Sequence, residues 1–128
     1  MPSRTAAEQV ADLIGPICLL LEKGATSSAE VAIAGMALWI LDSIENGRIR
    51  PEAADEAFTL LVVYLGDHPQ LPALSEDAQE LMLEGQHLHH WREPVGADPA
   101  LMRQLADRIV ARADDSIERA RARSPLAH

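Results

Sequence analysis

A chain of 128 residues, 48% hydrophobic and 24% charged, has the composition of one globular domain long enough to bury a core without disulfides or metals, which excludes a disordered chain. Its net charge of −9 opposes phosphate backbones and anionic lipid, so nucleic acid and membranes are not expected partners. The lone Cys18 excludes an internal disulfide framework. The start MPSRTAAEQ has neither the basic segment nor the apolar run of a signal peptide, so the expected location is the cytoplasm.

Aromatic residues are only 3%, and alanine and leucine fill most apolar positions, a choice that favours helix over strand. The first helix is expected to open at Thr5, with Glu8 reaching back to complete a capping box, and to stop before Gly24. Its apolar face is Val10, Leu13, Ile14, Ile17 and Leu21, with a kink or break expected at Gly15-Pro16. A second capping box, Ser27 with Glu30, opens the next helix, and Asn46-Gly47 supplies a left-handed stop. Between them the chain is apolar on nearly every side, so Trp39 on it is expected to be buried. The unbroken run from Val31 to Leu41 is nevertheless well short of the ~20 residues that span a bilayer.

Arg50-Pro51-Glu52 starts a third helix, with proline at the first helical position and acids near the positive end of the macrodipole. It should end at Gly66. Residues 67–74 read as a loop, after which Ser75 caps a fourth helix running to about Trp91 with Ala78, Leu81, Met82, Gly85 and Leu88 on its apolar face. Asp98-Pro99 opens the last and longest helix, which Ser124-Pro125 ends. The expected architecture is therefore all-α: a single domain over residues 1–123, built as an antiparallel bundle of four to five helices around an apolar second helix, with a short tail at 124–128.

Glu84, His87 and His90 follow one another at three-residue intervals, which on a continuous helix brings a carboxylate and two imidazoles to one divalent metal. Glu-x-x-His is also half of the motif of di-iron carboxylate bundles, but the chain has one such pair where two are needed. Acids on the third helix (Glu52, Asp55, Glu56) and the fourth (Asp77, Glu80, Glu84) could hold Mg²⁺ between antiparallel helices. Their order and spacing do not match the paired acidic motifs of all-α nucleotide pyrophosphatases. No nucleophile elbow, phosphate-binding loop, dinucleotide fingerprint or paired Cys-x-x-Cys is present.

Charge is unevenly distributed, with 16 acids against 5 bases up to residue 100 and 4 against 6 beyond it. Arg108, Arg112, Arg119 and Arg123 form a stripe along the last helix, suited either to docking on the chain's own acidic body or to a protein partner. A helix at the surface of a small monomer needs a polar face, and neither Val31–Leu41 nor Leu60–Leu65 has one. These residues point to a homodimer whose interface draws on Trp39, Leu60, Leu61, Val63 and Tyr64. The function expected from the sequence is that of a non-enzymatic interaction or regulatory protein acting as a homo-oligomer. The alternative is a metal-dependent enzyme or metal-binding bundle; no other cofactor is indicated.

Overall fold

The computed structural model describes residues 6–88 and 97–123, with side chains described between Asp12 and Asp115 except at 52–53 and 89–96. Thr5, His89, His90, Trp91 and Ser124-Pro125 lie outside the described residues. Five helices and no strand are present among the described residues: α1 (Ala6–Glu22), α2 (Thr26–Glu45), α3 (Pro51–Asp67), α4 (Glu76–Gly85) and α5 (Pro99–Arg123). The fold is an all-α helical bundle.

Helix ends follow from local chemistry. Gly24 and Gly47 adopt positive φ angles of 76° and 72°, which cost an L side chain but not glycine. Each closes a Schellman turn: Ala25 N–H donates to Leu20 C=O at 2.9 Å, and Arg48 N–H to Ser43 C=O at 2.8 Å. Pro51 occupies the start of α3. The Ser75 hydroxyl accepts from Ala78 N–H at 3.2 Å, and Asp98 accepts from Ala100 N–H at 3.0 Å, as their sequence positions led us to expect.

Three expectations need correction. α1 is not broken at Pro16; proline there removes one backbone donor, but the turns on either side keep the helix going. α2 begins at Thr26 behind Ala25, with no side-chain cap. Ser27 therefore does not cap it, and Glu30 instead reaches across to α4, accepting from the Ser75 hydroxyl and from Ser75 N–H at 3.4 Å. α4 ends at Gly85 rather than near Trp91. The chain then turns back, with Ala97 N–H donating to His87 C=O at 3.3 Å.

Short connections make successive helices antiparallel. α2 packs against all four other helices, while α1 pairs with α3, α3 with α4 and α4 with α5. Its buried stripe runs Ala29, Ile33, Ala34, Met36, Ala37, Ile40, Leu41 and Ile44. Phe58, Leu61, Leu81, Met102, Leu105 and Ile109 close on it from the other helices. Such burial contributes ~1.5–3 kcal/mol for each large apolar side chain. α2 has the length and apolarity of a membrane-crossing helix, but half of that stretch is buried inside the bundle.

Candidate functional site

The metal arrangement read from the sequence needs Glu84, His87 and His90 on one continuous helix. Because α4 stops at Gly85, regular helical spacing does not extend from Glu84 to His87, and His90 lies outside the described residues. Glu84 is engaged elsewhere, its carboxylate accepting from Asp98 N–H at 3.1 Å at the start of α5. The side chain of Glu52 lies outside the described residues, and the other acids of α3 and α4 form no such group among the described residues. Asp77 turns away from α3 and takes Arg112 at 3.0 Å and Arg108 at 3.6 Å, both from α5. Among the described residues no group of three or more His, Cys, Asp or Glu is placed to hold a metal.

The described arginines of α5 are paired with the chain's own acids. Arg108 and Arg112 meet Asp77, and Arg103 bridges Asp42 at 3.2 Å and Glu45 at 3.1 Å near the end of α2. Partial burial of Arg103 opposes its charge, but the hydrogen bonds it donates to Glu45 and Asp42 more than offset this and hold the guanidinium above its ordinary pKa. Arg119 and Arg123 lie on α5, with side chains outside the described residues.

The five residues read as an interface fall into four places. Leu61 is fully buried in its own core and cannot present itself to a second chain. It lies three residues from Phe58, and both point at α2 and α4 because α3 turns about 100° per residue. Leu60 and Val63 are on the opposite side of α3, 40% and 54% exposed. Tyr64 is half-buried, and its hydroxyl donates to Glu22 on α1 at 2.9 Å. Its ring packs on His68 with centroids 4.3 Å apart. Desolvation first, then the Glu22 carboxylate, push the Tyr64 phenol up to about 12.

Trp39 is 44% exposed, against the expectation of a buried aromatic. It lies on a stripe of α2 that the other helices leave open. Ser28, Gly35, Trp39 and Asp42 are exposed along it, with Val31, Ala32 and Leu38 half-buried at its edges. Among the described residues α1 and α5 both pack on α2 and have no substantial contact with each other. Leu60 and Val63 belong to a different side of the molecule.

Two outward apolar residues were missed, Leu19 at 51% and Leu83 at 55% exposure. Both carry a legible signal, since each is out of phase with the apolar stripe of its helix, on which Ile17, Leu21, Leu81 and Met82 are buried. Cys18 is half-buried, and desolvation, followed by the nearby Glu22, raises its thiol pKa, which keeps the reactive thiolate scarce at neutral pH. Two clefts lie among the described residues. One of ≈220 Å³ lies among Ser27, Glu30, Ser75, Ile109, Arg112 and Ala113. Another of ≈380 Å³ lies under the 67–74 loop against Leu65, His68 and Met82.

No family model, no curated protein and no solved structure matches the chain.

Proposed function

We propose that the chain is a non-enzymatic interaction protein that works as a homodimer, and that the open stripe of α2 is its self-contacting surface. The observation that carries this reading is Trp39, a large aromatic left 44% exposed on a helix whose other faces are packed. Exposed aromatics of this kind are the usual anchors of protein interfaces, where a large apolar ring is buried at small entropic cost.

Charge favours a second copy at this stripe over the outer face of α3. Between Ser28 and Trp39 the only ionisable residue is Glu30, which is turned to Ser75. The acids that follow, Asp42 and Glu45, are held by Arg103. Two copies related by a two-fold axis therefore meet there without facing unpaired like charges. Exposed Gly35, with no atom within 4 Å of where a Cβ would stand, leaves room for a second helix to approach.

Sedimentation equilibrium tests this reading. A dimer has twice the 13.9 kDa of the single chain, and Trp39→Glu is expected to return it to the monomer while leaving its helical spectrum intact. A wild-type mass of one chain at micromolar concentration refutes the proposal.

A further inference from the structure

We infer that the cavity under the 67–74 loop binds a small uncharged molecule with an apolar aromatic body and a hydrogen-bond donor, indole being a simple case. The cavity has a volume of ≈380 Å³, within the range of small-molecule sites. No residue of α2 lines it, so it is separate from the self-association proposed above. The chain forms it where α3 gives way to α4. Leu74 and Met82, both buried, supply its floor, and half-buried Leu65 and Leu71 its apolar sides. Pro69 and Pro72 each fix one φ angle of the loop. The backbone is pinned as well, with His68 N–H donating to Leu65 C=O at 3.2 Å and Leu71 N–H to His68 C=O at 3.1 Å. Gln79 Nε2 donates to Leu74 C=O at 2.8 Å from α4. A cavity shaped in this way before its ligand arrives avoids part of the ordering cost of binding.

Polar atoms decide the chemistry of the occupant. No Asp, Glu, Lys or Arg lines the cavity, so an ionic ligand would lose hydration there without gaining a counter-ion. The hydrogen-bonding side chains that line it are His68 and Gln79. His68 Nδ1 lies 2.8 Å from the Tyr64 carbonyl oxygen, which can only accept. Nδ1 therefore carries the hydrogen, and in the neutral ring Nε2 is an acceptor. The Tyr64 ring, with its centroid 4.3 Å from that of His68, holds the imidazole from one side. Gln79 spends one amide hydrogen on Leu74 and is otherwise exposed, so its remaining polar atoms stay hydrated. Nε2 of half-buried His68 is thus the atom that a ligand entering the cavity must satisfy, and only a donor does so. The apolar body of that ligand covers Leu65, Leu71 and Met82, and the Met82 thioether favours an aromatic ring.

Indole and benzofuran, the same bicycle with oxygen in place of N–H, test the site on the full chain by titration in mildly alkaline buffer, followed through amide NMR shifts. Indole is expected to bind saturably and about tenfold more tightly than benzofuran, the effect of one hydrogen bond to a partly buried acceptor. Its shifts should centre on residues 65–74 and on Gln79 and Met82. His68→Phe keeps an aromatic ring beside Tyr64 but offers no acceptor, and is expected to bind the two compounds equally. The wild-type comparison decides the matter even if that variant does not fold. Equal affinity of wild type for the two compounds, absence of saturation at millimolar indole, shifts centred on α2 or α5, or a preference for indole that survives in folded His68→Phe would each overturn the inference.

Discussion

Replacing Trp39 by alanine separates the contribution of this residue to folding from its contribution to assembly. A fully buried tryptophan costs ~3–5 kcal/mol on truncation to alanine. With 44% of the residue still exposed in the single chain, little more than half of that burial is intramolecular, and the expected cost to the isolated fold is about 2 kcal/mol. The remaining surface contributes only when a second chain covers it. A protein folded as a dimer gains apparent stability with concentration by mass action, roughly 2.7 kcal/mol for a hundredfold rise. Urea denaturation at two concentrations a hundredfold apart should therefore show a concentration-dependent midpoint for wild type. For Trp39→Ala the midpoint should be lower and independent of concentration. A wild-type midpoint that does not move with concentration, or a variant midpoint that moves as much as wild type's, would refute the reasoning.

Other substitutions test the placement of neighbouring residues. Leu61→Glu should abolish folding, because it buries an unpaired carboxylate in the core, whereas Val63→Glu should leave the circular dichroism spectrum and thermal midpoint nearly unchanged; the opposite order would mean that α3 is rotated from its described position. Gly85→Ala should destabilise by ~1–3 kcal/mol through overpacking against Phe58, less the ~1 kcal/mol of helix propensity that alanine gains. Gly35→Ala, with open space around it, should gain that propensity in the monomer, and urea melts of both variants in a Trp39→Glu background check the contrast. Tyr64 is the one tyrosine, so absorbance titration of native protein should find its phenol ionising near pH 12, not near 10. Since the folded value lies above the unfolded one, the associated stability is intact below pH 10 and lost as pH rises towards 12. Glu22→Gln should lower the phenol pKa.

Most of the fold was legible because its signals are local. The stops at Gly24 and Gly47, the caps at Ser75 and Asp98, and the buried face of α4 each depend on a few adjacent residues. The misreadings came where a distant group competed for a local one. Ser27 and Glu30 have the spacing of a capping box, but the Ser75 hydroxyl and amide, 45 residues away, take the Glu30 carboxylate. Glu84 and His87 have the spacing of metal ligands on a helix, but Glu84 is drawn to the Asp98 amide and α4 ends one residue after it. Trp39 was misplaced for another reason. A helix apolar on nearly every side has no phase of its own, and only the number and position of packed neighbours decide which stripe is left open. In LLVVYL the phase could be recovered, because Ala54, Ala57, Phe58 and Leu61 are all buried and repeat at helical spacing. Leu60 and Val63 fall outside that stripe.

The arginine stripe of α5, read from sequence as either self-docking or a partner site, makes physical sense through α4. A helix of 10 residues is too short to be stable in water alone, so α4 must be fixed by its neighbours. Glu30 of α2 holds its capping serine, and Arg108 and Arg112 take Asp77 in its first turn. Near its other end Glu84 holds the start of α5, and Gly85 lets Phe58 close in. The two ion pairs involve arginines more than half exposed, and exposed pairs contribute at most about 1 kcal/mol each. Their effect is on orientation more than on stability: they turn Asp77 towards α5 and leave Glu76, Glu80 and Leu83 facing outward. The basic residues of α5 thus help to fix which side of α4 is turned to solvent.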